Sequence, residues 1–222
     1  MRTDARKNTS IVMGGMRRKD IRPYQYYRAE EIVFVDVNNK NIMERSLTFI
    51  TGNAGKAKYL ADYFHIPVEH KKLDLPEIQS LDLEEIVKDK ARRAYEIVKA
   101  PVLVEDVSLT FTAMKRLPGP LIKWFLEELG NEGLCRMLDG YERSVVAEVA
   151  FAFCDGKNVK VFTGSREGKV SEKPRGTAGF GWDSIFIPEG HTETWAEMTA
   201  DEKHETSMRR IALEKLRVYL NI

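Results

Sequence analysis

Strand-like and helix-like segments alternate from Leu47 onward, and this alternation constrains the fold more than any other feature of the sequence. Residues 47–51 and 102–104 are short apolar runs of the kind that form buried strands. Residues 83–98 instead repeat apolar side chains every three or four positions, as one face of a helix does. Strands that alternate with helices are typical of an α/β domain. We therefore predict an α/β fold for residues 47–222.

Further segments extend this pattern. A helix is predicted at about residues 56–64, and two more helical segments at 124–129 and 133–138. The turn pair Asp155-Gly156 predicts an antiparallel hairpin of residues 145–154 and 159–163. Additional strands are predicted at 168–171 and 184–188. A C-terminal helix should carry Ile211, Leu216 and Leu220 on one face.

Residues 1–46 differ from the rest, because they are polar and basic with little periodicity. We interpret them as an N-terminal extension with no assigned role, containing at most a single short strand at 31–38. The longest apolar stretch near the start, residues 10–16, is broken by two glycines and is too short for a signal-peptide core. No later run approaches the roughly 20 residues that span a bilayer. We therefore expect a soluble, cytoplasmic protein that binds no membrane.

The balance of charges and the two cysteines limit the kinds of ligand and of cysteine chemistry that the sequence supports. The 35 Lys and Arg residues balance 34 Asp and Glu residues, so no global field attracts the protein to nucleic acid. An anion-binding site must therefore be local. Cys135 and Cys154, the two cysteines, lie among apolar residues and are expected to be buried free thiols.

The segment TGNAGK at residues 51–56 is a candidate phosphate site. It combines a strand end, a flexible turn and a helix start, which leaves backbone N–H groups at the positive end of a helix. Lys56 adds a charge. The spacing is too short for a Walker A loop and no Ser or Thr follows Lys56, so a P-loop NTPase is disfavoured. An ordinary strand-to-helix turn is the alternative.

Carboxylates are a second candidate feature. Glu105 and Asp106 follow the apolar residues 102–104 directly, and ligands of open α/β sheets bind at such strand ends. A carboxylate there could hold magnesium or take a proton from water. Glu77 in the segment LPEIQ is a further acidic candidate. The alternatives are that Glu105 and Asp106 merely end a strand and that Glu77 is a surface residue.

Two more segments favour an anionic, aromatic ligand. In LPGPLIKWF, residues 117–125, two prolines flank a glycine and place Lys123 in the first turn of a helix, where a cation opposes the macrodipole. In RGTAGFGWD, residues 175–183, glycines alternate with two aromatic residues, so that the backbone can approach a ligand and a ring can stack on a base. A solvated lysine and a bulged core loop are the respective alternatives.

Near the C-terminus, Lys203 and Ser207 would share one face of a continuous helix while Arg209 pointed elsewhere. All could reach one pocket only if the helix breaks. Ser207 is a plausible N-cap for a new helix, and Thr199 with Glu202 forms a capping box for the preceding turn.

These segments, in their sequences and in their order along the chain, resemble those of the inosine triphosphate pyrophosphatase family. The resemblance rests on TGNAGK, LPEIQ, VED, LPGPLIKWF, GFGWD and AEMTADEK followed by SMRR, and it extends from about residue 47 to residue 216. It implies an elongated, curved mixed sheet flanked by helices, with two lobes around a central nucleotide cleft. It also implies a homodimer that hydrolyses ITP, dITP and XTP to the monophosphate and pyrophosphate, with Mg²⁺ as cofactor.

The same resemblance assigns residue roles. The turn formed by Thr51, Gly52, Asn53, Ala54, Gly55 and Lys56 would bind the triphosphate, with Lys90 and Lys123 adding positive charge. Glu77 and Asp106 would bind magnesium, and Asp106 would accept the proton of the attacking water. Phe180, Gly181, Trp182 and Asp183 would hold the base and sugar. Lys203, Ser207, Met208 and Arg209 would complete the pocket, with Arg209 reaching the 6-oxo group.

Two positions depart from the family pattern. Met208 stands where the family usually has a histidine, and a thioether cannot donate a hydrogen bond to a 6-oxo group. Val107 stands where the family commonly has Ser or Thr beside the nucleotide. Both departures affect base selectivity and leave the catalytic residues in place. Met208 supports the alternative of a pyrophosphatase for other modified or pyrimidine triphosphates, and a nucleotide-binding module without activity is a separate alternative.

Overall fold

A computed structural model describes residues 47–222 of the 222-residue chain. The predicted strand at 31–38 and the predicted extension 1–46 lie outside the described residues. The strands are β1 (Leu47–Ile50), β2 (Val68–Lys71), β3 (Val102–Phe111), β4 (Pro118–Gly119), β5 (Ser144–Cys154), β6 (Val159–Val170) and β7 (Phe186–Pro188). The helices are α1 (Ala54–Phe64), α2 (Leu83–Val98), α3 (Ile122–Arg136), α4 (Ala200–Thr206) and α5 (Met208–Leu220), with a 3₁₀ turn at Thr112–Met114.

The seven strands form one mixed sheet in the order β2-β1-β3-β5-β6-β7, with β4 paired to β3. β1 is parallel to β2 and β3, whereas β3, β5, β6 and β7 pair antiparallel. The predicted mixed α/β fold is confirmed. β1 ends at Ile50 opposite Val104, and β3 continues for seven more residues. The sheet therefore opens beside β3 just after Val104, and this opening positions the site.

Helices cover both faces of the sheet. Three buried residues of α2, namely Val87, Ala91 and Ala94, pack on the face that carries Val104, Ala150 and Ala152. The opposite face forms the larger core, in which Phe49, Phe111, Phe151, Phe186 and Trp195 are almost fully buried. α1 and α5 pack on that second face. Because successive strand residues point to opposite faces, neighbours along β3 enter different layers.

Three predictions of local structure were wrong. β3 does not end before Glu105, because β5 continues to pair with it as far as Phe111 after β1 has ended. The predicted strand at 168–171 is the end of β6, which runs unbroken through Gly164. A glycine is required there, because a Cβ would lie 2.1 Å from the backbone oxygen of Met208 in α5. The buried face of α5 is formed by Met208, Ala212, Leu213 and Leu216.

Other predictions were confirmed. α2 spans 83–98 as predicted, and Cys135 and Cys154 are buried free thiols. The two predicted segments of α3 meet at Gly130, whose φ of 63° interrupts the helix. Ser207 caps α5 by accepting a hydrogen bond from Arg209 N, and Thr199 forms the predicted capping box with Glu202. None of the helices within 47–222 has the length and apolarity to cross a membrane.

Candidate active site

A cleft of about 1270 Å³ lies where β1 ends and β3 continues. Its walls come from the turn after β1, the segment before α2, the middle of β3, the start of α3 and the loop after residue 179. Fourteen of the predicted site residues line it: Thr51, Gly52, Asn53, Lys56, Glu77, Lys90, Asp106, Val107, Lys123, Phe180, Gly181, Trp182, Asp183 and Arg209. The predicted Ala54, Gly55, Lys203, Ser207 and Met208 are not part of its wall.

The turn between β1 and α1 is organised by Asn53. Its side-chain oxygen accepts hydrogen bonds from Gly55 N at 2.9 Å and Lys56 N at 3.3 Å, which caps the first turn of α1. Thr51 Oγ1 in turn accepts a hydrogen bond from Asn53 N at 3.1 Å. Nothing within 4 Å would meet a Cβ at Gly52, so a ligand can approach the backbone at this position.

The acidic end of the cleft is formed by Glu77, Lys90 and Asp106. The Lys90 ammonium donates to Glu77 Oε1 at 2.7 Å and to Asp106 Oδ2 at 3.2 Å. Burial alone would raise the pKa of Glu77, but the neighbouring Lys90, with Lys123 contributing, lowers it below its ordinary value. Burial would lower the pKa of Lys90, yet Asp106 and Glu77 raise it. This end therefore holds two carboxylates that share one lysine ammonium.

The donor set of this end fits magnesium. Within residues 47–222 there is no group of three or more His, Cys, Asp or Glu residues placed to hold a metal ion. Magnesium is commonly bound by one or two carboxylates together with substrate phosphates and water. Glu77 and Asp106 both contact one ammonium nitrogen, which shows that a positive charge is stabilised between them.

The aromatic end of the cleft is built around Phe180. This ring is 47% exposed, whereas Trp182 is buried and stacks on Trp195 with ring centroids 5.5 Å apart. The Arg209 guanidinium carbon lies 5.4 Å from the centre of the Phe180 ring, and Lys203 Nζ lies 5.3 Å from it. At this end of the cleft Phe180 therefore presents an exposed ring, whereas Trp182 packs into the core.

Asp183 fixes the loop that carries Phe180. Its carboxylate accepts hydrogen bonds from Phe180 N at 2.7 Å and from Lys203 Nζ. Gly179 has a φ of 82°, and a Cβ there would lie 2.2 Å from Asp183 Oδ2. Only glycine permits this turn to close. Lys203, which is outside the cleft wall, thus belongs to the site through Asp183.

Glu105 is a site residue to which the sequence analysis gave no separate role. Its side chain is 1% exposed, and its Oε1 lies 3.0 Å from Lys56 Nζ and 2.8 Å from Arg209 Nη2. Burial would raise the pKa of Glu105, but Arg209 and Lys56 together lower it to about 2. The strand alternation could have predicted that Glu105 and Asp106 point to opposite faces. It could not have predicted the partners.

The side chains of Lys123, Ser207 and Met208, all predicted to bind substrate, lie in three different environments. Lys123 lies in the first turn of α3 as predicted, with Nζ 4.9 Å from the centre of the exposed Trp124 ring. The Ser207 hydroxyl is engaged as the N-cap of α5. Met208 is 0% exposed and packs in the core, so its side chain has no direct path to a ligand in the cleft.

Comparisons with known proteins agree with this architecture. The sequence profile of the Ham1 family matches residues 47–219. The chain is 46% identical over 178 residues to inosine triphosphate pyrophosphatase 2 of Trypanosoma cruzi, covering 78% of this chain and 91% of the relative. It is 46% identical over 181 residues to inosine triphosphate pyrophosphatase of Yarrowia lipolytica, covering 79% and 95% respectively.

A solved HAM1 protein from Coxiella burnetii has the same fold, with a TM-score of 0.71 and 24% identity over 79% of this chain and 98% of that one. The profile match covers most of the chain, and the two relatives match it over nearly their whole length. This chain is a member of the Ham1 family.

Proposed function

We propose that this protein hydrolyses non-standard purine nucleoside triphosphates, namely ITP, dITP and XTP, to the monophosphate and pyrophosphate with the help of Mg²⁺. The observation that carries the proposal is the cleft itself, which has paired carboxylates at one end and an exposed aromatic ring beside cations at the other. Relatives that are 46% identical are named inosine triphosphate pyrophosphatases, which supports the same substrate class.

The residues of the acidic end would carry out the reaction. Asp106 lies beside Lys90 and accepts a hydrogen bond from Val107 N at 2.8 Å, which fixes the orientation of its carboxylate. In the proposed step, Asp106 takes a proton from water as the water oxygen bonds to the α-phosphorus. The bond from that phosphorus to the bridging oxygen breaks, and pyrophosphate leaves with its electron pair.

Cationic residues would neutralise the charge that develops on the phosphates. Lys90 and Lys123 line the same part of the cleft as Asp106. Glu77 and Asp106 would hold Mg²⁺, which supplies Lewis-acid stabilisation of phosphate oxygens when bound. The turn at Thr51, Gly52 and Asn53 would bind the rest of the triphosphate through its backbone and hydroxyl groups.

The direct test is a pyrophosphate-release assay with ITP, XTP, GTP, ATP and pyrimidine triphosphates, each with and without Mg²⁺. We expect ITP and XTP to be the best substrates and turnover to require the metal. Preferred turnover of a pyrimidine triphosphate would instead establish the alternative specificity. Binding of ITP without any release of pyrophosphate would establish a nucleotide-binding module and overturn the proposal.

The proposal also covers the location of the protein, its oligomeric state and its domain boundary. The protein is proposed to act in the cytoplasm as a homodimer, and light scattering after size-exclusion chromatography measures that mass directly. The Ham1 profile begins at residue 47, which supports a boundary between an N-terminal extension, residues 1–46, and the catalytic domain. A chain that starts at Met43 should therefore retain pyrophosphatase activity. Loss of activity on this truncation would assign the extension a catalytic or folding role.

A further inference from the structure

Glu105 occupies an unusual position for a carboxylate. It projects from the middle of β3 towards α1 and α5, on the face opposite to Asp106, and is almost fully buried. Lys56 of α1 and Arg209 of α5 both reach its Oε1, with Arg209 contributing Nε at 3.2 Å as well as Nη2. One buried oxygen atom thus holds two cations from separate helices next to each other.

The charge of this cluster points to an electron-rich ligand. The Glu105 carboxylate lies within salt-bridge distance of both cations, at 3.0 Å from Lys56 Nζ and 2.8 Å from Arg209 Nη2. Two positive charges against one negative charge leave a surplus of one. The cationic side chains, unlike that of Glu105, retain 20% and 12% exposure, and both residues line the cleft. Lys56 and Arg209 are donors only, so the cluster offers hydrogen bonds to acceptor atoms and none to donors.

The position of the cluster identifies which part of a nucleotide it would meet. Arg209 lies against the face of Phe180, the exposed ring at the aromatic end, whereas Lys90 and Lys123 serve the acidic end. A purine stacked on Phe180 would therefore present an edge to Arg209 and Lys56. In 6-oxopurines one edge carries two acceptors, O6 and N7, and paired donors recognise it. Adenine has an amino donor in place of O6.

We propose that Glu105 is a positioning residue that holds Lys56 and Arg209 as a pair of donors for the O6/N7 edge of the base. This inference rests on the proposed function and deepens it in two ways. It assigns Lys56 to the base instead of the triphosphate. It also makes Glu105 responsible for the selectivity for 6-oxopurines over 6-aminopurines. Guanine carries the same O6/N7 edge, so the pair does not discriminate against GTP.

The test compares ratios of kcat/KM for the wild-type protein and Glu105→Gln, which keeps the shape and removes the charge. We expect kcat/KM for ITP to fall about 10- to 100-fold, as when other groups that orient a ligand are lost. The ratio of ITP to ATP should fall at least about tenfold, because a site built from donors loses its selectivity when they are misplaced. The ratio of ITP to GTP should stay constant.

The matched control is Glu148→Gln, the same change on the neighbouring strand β5 and outside the cleft wall. It should leave both ratios at their wild-type values. A general loss of activity in Glu105→Gln with an unchanged ITP to ATP ratio would overturn the inference. Wild-type protein that releases no pyrophosphate from ITP would instead overturn the proposed function, so the two failures are distinguishable.

If Glu105→Gln does not fold, a second variant tests whether Lys56 binds the base. Lys56→Met removes one donor and leaves the pairing of Glu105 with Arg209. If Lys56 binds the base, the ratio of ITP to ATP falls while the ratio of ITP to GTP is preserved. If Lys56 binds the triphosphate, kcat/KM for ITP, ATP and GTP falls by the same factor, and the inference is wrong.

Discussion

The two ends of the cleft are electrostatic opposites built from adjacent residues of one strand. At the acidic end, two carboxylates share the single ammonium of Lys90. At the aromatic end, one carboxylate, Glu105, shares its oxygen between Lys56 and Arg209. The first group carries a surplus negative charge and the second a surplus positive charge. β3 creates both, because Asp106 and Glu105 point to opposite faces where β1 no longer covers the strand.

This comparison teaches that the near-neutral net charge of the chain conceals a strongly polarised site. A metal ion is favoured beside the paired carboxylates Glu77 and Asp106, and acceptor atoms are favoured beside the paired cations Lys56 and Arg209. A nucleoside triphosphate with its metal is complementary to both ends. Its cationic metal suits the acidic end, and the lone pairs on the edge of its base suit the cationic residues of the aromatic end.

The largest effect is expected for Asp106→Asn. This change removes the proton acceptor, and the pyrophosphate-release rate with ITP should fall about 10²- to 10⁴-fold. Because the aromatic end is unchanged, the affinity for ITP measured by calorimetry should survive. An Asp106→Asn protein that still turns over ITP at near wild-type rate would remove Asp106 from the chemistry.

Phe180→Ala and Trp182→Ala should separate binding from stability at the aromatic end. Phe180 is half exposed, so its loss should weaken ITP binding by about 1–3 kcal/mol while the free energy of unfolding changes little. Trp182 is buried against Trp195, so its loss should reduce the free energy of unfolding in urea by about 3–5 kcal/mol. The reverse pattern would show that the base stacks on Trp182.

Glu77→Gln should weaken the acidic end alone. The variant keeps Asp106 but loses one of two negative charges near the proposed metal position, so the Mg²⁺ concentration for half-maximal activity should rise by roughly tenfold. Glu84→Gln, at an exposed position of α2 paired with Lys88, serves as the control and should leave this concentration unchanged. An unaltered Mg²⁺ requirement in Glu77→Gln would exclude Glu77 as a ligand.

Acid should remove the stabilising effect of Glu105. The pKa of Glu105 is about 2 in the folded protein against an ordinary value of 4.5, so the unfolded chain takes up the proton first as the pH falls. The contribution to stability is therefore full above about pH 4.5 and is lost as the pH falls towards 2. The difference in unfolding free energy between wild type and Glu105→Gln should be larger at pH 6 than at pH 3. A difference that grows towards low pH would contradict the ion-pair assignment.

The smallest effect on selectivity is expected for Met208→His. The family usually has a histidine here, and a histidine, unlike a thioether, can donate a hydrogen bond to a 6-oxo group. Since Met208 is fully buried, the substitution should instead lower the free energy of unfolding by about 1–3 kcal/mol and leave the substrate ranking unchanged. A clear gain in preference for ITP, measured as kcat/KM against GTP, would show that position 208 reaches the base.

Much of the fold follows from local signals. The helix at 83–98, the N-cap at Ser207 and the capping box at Thr199 were predictable because helix periodicity and capping depend on nearby residues. The length of β3 was not predictable, because it depends on β5, which lies some forty residues later in the chain. Strand length is decided by pairing partners, and a single sequence does not show them.

The site shows the same division. The family resemblance assigned Glu77, Asp106 and Phe180 to one nucleotide site, and in the structure all three line one cleft. The ion pairs of Glu105 could not be predicted, because Lys56 and Arg209 lie 49 and 104 positions away from it along the chain. The burial of Met208 depends on the packing of α5 against β6 at Gly164, which is also a long-range contact.

The most direct test of the polarised cleft is a crystal structure of the Asp106→Asn variant with ITP and Mg²⁺. The account predicts that the purine stacks on Phe180 with O6 and N7 within hydrogen-bond distance of Arg209 and Lys56. It also predicts the metal beside Glu77 and the α-phosphorus next to residue 106. A base that lies at Glu77, or a triphosphate that lies on Lys56 and Arg209, would contradict it.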